Sequence, residues 1–143
     1  MSRLTKFLIG LAAVLLFGWL YHGPLGNGER LISQLEAQAR TAVAGAEVPG
    51  VTVALPRDPL ARTAILSGPA NDLQRNGMGS QKGLNDMVAE VEGISGVRWS
   101  DDTGGARIMP LLLETLATLV LAYLVGLGLA WVLFGRKKRE SYL

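Results

Sequence analysis

The chain has 143 residues, with 14 Lys plus Arg against 12 Asp plus Glu, one His and no Cys. This length allows one modest domain with accessory segments and excludes a large two-domain enzyme. The lack of cysteine excludes disulfide scaffolds, cysteine–zinc sites, iron–sulfur clusters and thiol nucleophiles, and one histidine leaves almost nothing for a histidine metal cage.

The first element is an apolar run over residues 7–21 that contains no charge and no proline. Basic residues precede it, as in a cleaved secretory signal. The run ends, however, in Trp19, Tyr21 and His22 without the small residues of a cleavage site, and aromatic residues at such a boundary are typical of interfacial anchors. We therefore predict an N-terminal transmembrane anchor over 1–22, with a cleaved signal as the alternative.

A second apolar run covers residues 109–134 and contains Glu114 as its only charge. At about 1.5 Å per residue it is longer than the ~30 Å hydrocarbon layer requires. We predict a C-terminal transmembrane helix over 109–135 and a basic cytoplasmic tail over 136–143. The tail contains a basic cluster that is also expected to act as an interfacial anchor against anionic lipid: Arg136, Lys137, Lys138 and Arg139.

The charges between the two apolar runs differ from those outside them. Residues 22–108 contain 8 basic and 10 acidic residues, whereas both outer flanks are basic. Basic flanks stay in the cytoplasm. Both termini are therefore predicted to be cytoplasmic and the central segment to be exported, which for a bacterial inner membrane means the periplasm. The excess of basic over acidic residues in the chain thus reflects membrane topology, and nucleic-acid binding is not expected.

The central segment begins with a hinge over 23–28 and an amphipathic helix over 29–46. Asn27 is the expected N-cap of this helix. The apolar residues recur at three and four positions and predict one buried face, with Glu36 among the residues outside it.

Alternating residues predict a strand over 51–55 and a second over 62–67, paired antiparallel, with a short third strand over 97–99. Together with the helices this order predicts an α+β fold, a helix–strand–strand–helix–strand (αββαβ) unit in which two helices cover one face of a three-stranded sheet. Two transmembrane helices flank this unit in the sequence.

The second helix of the unit is less regular. Asn71 or Asp72 is its expected N-cap, but glycines interrupt the pattern over 75–83, and only 84–91 has a clear buried stripe. A tether over 101–108 leads to the second membrane helix.

Three segments of this region carry a family resemblance: Val-Thr-Val at 51–53, Thr-Ala-Ile-Leu-Ser-Gly at 63–68, and Val-Ala-Glu-Val-Glu-Gly-Ile-Ser-Gly-Val-Arg-Trp at 88–99. They resemble the BON domain, whose pattern is a strand ending in Leu-Ser-Gly, a helix, and a closing Val-x-Gly-Val-x-x-Val segment. The resemblance spans roughly 31–100 and gives a BON-like periplasmic domain over 29–100.

The chain differs from that family in its glycine-rich stretch at 74–83 and in its two membrane helices. What the resemblance implies is a non-enzymatic binding module of the cell envelope, associated with phospholipid or with partner proteins. It implies no catalytic residues.

The glycine-rich stretch at 75–83 resembles a phosphate-binding loop in composition, but it has neither the Walker spacing nor a dinucleotide fingerprint. We predict a flexible loop, with nucleotide binding and headgroup or partner contact as alternatives. Asp101 and Asp102 are expected to be solvated, so that no metal site is predicted. Because the one histidine lies at the predicted membrane boundary, no Ser-His-Asp set can be assembled, and neither a catalytic nor a cofactor site is predicted. Basic side chains are the candidates for contact with partners or phospholipid headgroups: Arg57, Arg62, Arg75 and Lys82.

The second membrane helix carries a ridge of polar and small side chains at every fourth position: Glu114, Thr118, Ala122, Gly126 and Ala130. Small residues at this spacing let another helix approach closely. We predict a helix–helix contact along the ridge, either with the first helix or with a foreign protein. For Glu114 itself, snorkelling to the exported surface is the simpler interpretation.

These features predict a non-enzymatic adaptor anchored in the inner membrane, or an accessory subunit of a membrane protein complex. Its expected partners are membrane lipids and other integral membrane subunits, with no nucleic acid and no small-molecule substrate. The alternative is a phospholipid-binding protein of envelope maintenance.

Overall fold

The computed structural model describes residues 2–102 and 108–134. The chain is mixed α and β and forms two compact units, Gly26–Leu111 and the combination of Met1–Leu25 with Leu112–Leu143. Its elements in chain order are α1 (Arg3–His22), α2 (Asn27–Gly45), β1 (Thr52–Ala54), β2 (Thr63–Ser67), α3 (Asp72–Asn76), β3 (Gly77–Met78), β4 (Gln81–Lys82), α4 (Leu84–Ala89), β5 (Gly96–Trp99) and α5 (Leu111–Phe134).

The central unit is built on a three-stranded sheet in the order β1-β2-β5. β1 and β2 pair antiparallel, with Val53 opposite Leu66, whereas β2 and β5 pair parallel, with Leu66 opposite Trp99. Alternate residues of the strands face one core together with α2 and α4, which confirms the predicted three-stranded sheet and the antiparallel pair. The largest fully buried side chains of this core are Ile32, Leu66, Leu84 and Val88.

The predicted N-cap of α2 is wrong by one residue. Gly26 caps the helix in a left-handed conformation with a φ of 67°, and Asn27 is the first helical residue. A left-handed cap costs glycine little because glycine has no Cβ. The buried face of α2 follows the predicted period and comprises Ile32, Leu35, Ala39 and Val43.

The prediction of a loop over 75–83 is also wrong, because this stretch contains the end of α3 and a hairpin of β3 and β4. Asn71 and Gln74 close a capping box at the start of α3. Gly77 then has a φ of 73°, and a Cβ there would lie 2.2 Å from the carbonyl oxygen of Gln81. The glycines therefore allow a tight backbone crossing that a side chain would block.

Two helices, Arg3–His22 and Leu111–Phe134, are long and apolar enough to cross a membrane. Within their unit they run antiparallel, since Gly10 of α1 lies against Tyr123 and Gly18 lies against Leu116 and Leu119. A Cβ on Gly18 would lie 2.7 Å from Leu119 Cδ1, so that glycine is what permits this approach.

Candidate interaction sites

Arg57 is held against α2 by acidic and hydroxyl side chains. Its guanidinium pairs with Glu29, lies 3.1 Å from Glu36 Oε2, and donates to Ser33 Oγ at 3.0 Å. Glu36 also pairs with Arg40 and accepts from the backbone N–H of Leu55 at 3.3 Å. The positive charge of Arg57 is therefore matched within the domain.

Arg75 joins three parts of the central unit. Its guanidinium stacks over Trp99, with Cζ 4.1 Å from the ring centroid, and donates to both oxygens of Asp101 at 3.1 and 2.7 Å. Its Nε donates to the carbonyl of Ala70 at 3.1 Å. Trp99 in turn donates from Nε1 to Asn85 Oδ1 at 2.8 Å. This cluster ties α3, α4 and β5 to the start of the predicted tether.

The Arg75–Asp101 pair changes the proton affinity of both groups. The hydrogen bonds from Arg75 lower the pKa of Asp101, because they favour its ionised form. The same hydrogen bonds raise the pKa of Arg75. The pair therefore keeps both charges at neutral pH.

The remaining two predicted basic contact residues also have internal partners. Lys82 Nζ lies 2.6 and 2.8 Å from the two carboxylate oxygens of Glu90. Arg62 donates to the carbonyl of Gly93 at 3.2 Å. Arg57 and Lys82 are exposed, whereas Arg62 and Arg75 are half-buried, and the four side chains contact different partners within the central unit. Their contact with a partner protein or with lipid stays a prediction.

The contact between α1 and α5 uses side chains other than the predicted ridge. Tyr123 Oη donates to the carbonyl oxygen of Phe7 at 2.9 Å, and the rings of these residues lie 5.7 Å apart. The ridge residues Thr118, Ala122, Gly126 and Ala130 are exposed, and a Cβ on Gly126 would meet nothing within 4 Å. Glu114 is half-buried, and its carbonyl accepts from the Thr118 hydroxyl at 2.9 Å. Contact of the ridge with a foreign helix stays a prediction.

The predicted interfacial anchors lie at the C-terminal end of α1. Trp19 and Tyr21 are exposed, His22 is half-buried, and the ring of Tyr21 stacks on Phe17 at 6.0 Å. The other predicted anchors lie outside the described residues: Arg136, Lys137, Lys138 and Arg139.

One feature of the central unit escaped sequence reasoning, a groove between α2 and the outer edge of β1. It is an open pocket with a volume of about 500 Å³. Residues from α2, the following turn and β1 line it: Arg40, Val43, Ala44, Glu47, Val48, Pro49, Val51, Thr52 and Val53. The Val-Pro-Gly turn in the sequence indicates where the helix separates from the strand. The width of the groove between α2 and β1, however, depends on tertiary packing.

Among residues 2–102 and 108–134 no group of three or more His, Asp or Glu side chains is arranged to hold a metal ion. Comparisons with known protein families, curated proteins and solved structures gave no match for this chain.

Proposed function

We propose that the chain is a non-enzymatic adaptor, or an accessory subunit of a membrane protein complex, anchored in the bacterial inner membrane by α1 and α5. Both termini are cytoplasmic, and a BON-like domain faces the periplasm and contacts partners there. The order of α2, β1, β2, α4 and β5 supports the BON resemblance, with α3 and its hairpin as an insertion.

The observation that carries this proposal is the unequal use of the faces of α5. One face packs on α1 through Leu116, Leu119 and Tyr123, whereas the face with Thr118 and Ala122 stays exposed. Exposed small and hydroxyl side chains are the groups through which membrane helices approach each other closely. This supports a further membrane helix as the partner.

Purification of the full chain from its native membrane in mild detergent, followed by mass spectrometry, tests this proposal. We expect defined membrane proteins to co-purify in constant ratio, and Ala122→Leu to reduce their recovery. A single species that contains only this chain would contradict the subunit assignment.

The pairing of Arg57, Arg75 and Lys82 with carboxylates supports protein contact over phospholipid recognition. Flotation of the full chain in proteoliposomes does not separate these functions, because the helices insert in either case. Crosslinking to lipids with photoreactive headgroups does separate them. Labelling of the central unit that competes with phosphatidylglycerol and decreases in salt would favour the phospholipid-binding alternative.

A further inference from the structure

One residue of β1, Val53, directs its backbone groups away from the sheet at the groove. Leu66 of β2 points its carbonyl toward the β5 side, where it accepts from Ser100 N at 2.8 Å. Because successive residues of a strand direct their N–H and C=O groups to opposite edges, Leu66 is not hydrogen-bonded to Val53, which lies opposite it. The N–H and C=O of Val53 must therefore face outward, away from the sheet.

The next outward-facing residue confirms this direction. The N–H of Leu55 donates to Glu36 Oε2 on α2 at 3.3 Å. Val53 has no such partner among the described residues, and it lines the groove. Backbone N–H and C=O groups are strong hydrogen-bonding groups, so this edge has an unused capacity for hydrogen bonds to a ligand.

The groove that faces these groups has the size and lining of a ligand site. Its cavity of about 500 Å³ is walled by Val43 and Ala44 on the α2 side and by Val48 and Val51 on the other. Pockets of roughly 300–1,000 Å³ with mostly apolar walls are typical of binding sites. The apolar walls favour one hydrophobic side chain of the ligand.

We propose that this groove binds an extended peptide segment of a partner protein, which adds as a strand to the edge of β1. A peptide in extended form exchanges both hydrogen bonds with Val53 and places an alternate apolar side chain in the cavity. A lipid acyl chain has no hydrogen-bond donor or acceptor for Val53. The backbone N–H and C=O groups of an α-helix are already hydrogen-bonded within that helix.

The charge at the mouth of the groove indicates the composition of this peptide. Glu47 is exposed and makes no ion pair within the described part of the chain, whereas Arg40 is paired with Glu36. The unmatched charge is therefore negative, and it favours a Lys or Arg beside the apolar residue of the peptide. This inference rests on the proposed adaptor function and specifies its contact surface.

The test uses the full chain in nanodiscs of phosphatidylethanolamine and phosphatidylglycerol, panned against a displayed library of random short linear peptides. We expect enriched peptides with an apolar residue next to a basic one. Ala44→Trp fills the groove from an exposed position and should weaken binding of the synthetic consensus peptide at least about tenfold. Gln38→Trp, an exposed change on another face of α2, should leave binding unchanged.

Two further measurements test strand addition and the charge preference separately. N-methylation of the peptide amides that face β1 removes hydrogen bonds without changing the protein and should weaken binding about tenfold. Glu47→Gln should abolish the preference for a basic residue, and an unchanged preference would overturn the charge assignment.

The proposal is overturned if no peptide is enriched over empty nanodiscs, if the Ala44→Trp protein binds equally well, or if N-methylated peptide binds as tightly as the parent. These outcomes differ from failure of the adaptor function. A chain that co-purifies with partners but enriches no peptide is an adaptor without this site, whereas a chain that purifies alone yet binds the peptide has the site without a stable complex.

Discussion

The side chain of Glu36 shows how a single residue can depart from the pattern of its helix. The period of α2 places it outside the apolar face, yet its surface is only 8% exposed. It is buried because Arg57, from the turn after β1, folds over it and because Leu55 N–H points at it. Removal of this carboxylate would leave the Leu55 N–H without a partner, which lowers the free energy of unfolding by roughly 1–3 kcal/mol. Periodicity within one helix cannot reveal a partner that lies 21 residues away in the sequence.

Asp101 has a pH-dependent effect on stability whose sign follows from its lowered pKa. A carboxylate with a lowered pKa in the folded state stabilises the fold at neutral pH, and this contribution is lost as the pH falls through that value. We therefore expect Asp101→Asn to lower the melting temperature of the full chain at neutral pH. The difference from the wild type should narrow as the pH falls below the ordinary aspartate range, and it should disappear only below the lowered pKa of Asp101.

Asp58→Asn is the matched control, because Asp58 is exposed and makes no ion pair within residues 2–102 and 108–134. It should leave the melting temperature unchanged both at neutral pH and in acid. If Asp101→Asn were equally destabilising in acid, the charge of Asp101 would not be what stabilises the cluster with Arg75 and Trp99.

Sequence patterns predicted the elements in which apolar residues recur at a regular spacing. They failed for the elements that have no such spacing. Five residues of α3 and two-residue strands are too short to show periodicity, and their glycines are also typical of loops.

For the two apolar helices, the ridge of small residues on α5 indicated close helix packing only in general terms. The approach of α5 to α1 instead depends on Gly10 and Gly18, about two turns apart on α1.

The glycine at position 18 should therefore be essential for the packing of α1 on α5. A leucine there would collide with Leu116 and Leu119, so Gly18→Leu should separate the helices. Since the chain has no cysteine, Phe7→Cys with Tyr123→Cys gives a unique pair for a short bifunctional thiol reagent. We expect Gly18→Leu to reduce the yield of intramolecular crosslink several-fold.

Gly126→Leu provides the matched control, because it adds the same side chain where nothing lies within 4 Å of the new Cβ. It should leave the crosslink intact and instead reduce co-purification of partners, if the exposed face of α5 is their docking surface. Equal crosslinking in the Gly18 and Gly126 variants would contradict the helix packing described above.

For the whole molecule, the proposed function depends on the side of the membrane that each segment is predicted to occupy. The first two turns of α1 contain the basic residues Arg3 and Lys6, and the segment after α5 contains four consecutive basic residues. The positive-inside rule then predicts cytoplasmic termini and an exported central unit. The exposed Ser80, between β3 and β4, and Ser2, before α1, are suitable positions for reporters of the two sides.

We expect Ser80→Cys to react with a membrane-impermeant maleimide in intact spheroplasts, and Ser2→Cys to react only after lysis. The chain has no other cysteine, so each signal comes from one position. Labelling of both positions only after lysis would place the central unit in the cytoplasm and remove the basis for a periplasmic adaptor. Because basic residues near helix ends set orientation, replacing Arg3 and Lys6 with glutamine should also increase the fraction of chains with an accessible N-terminus.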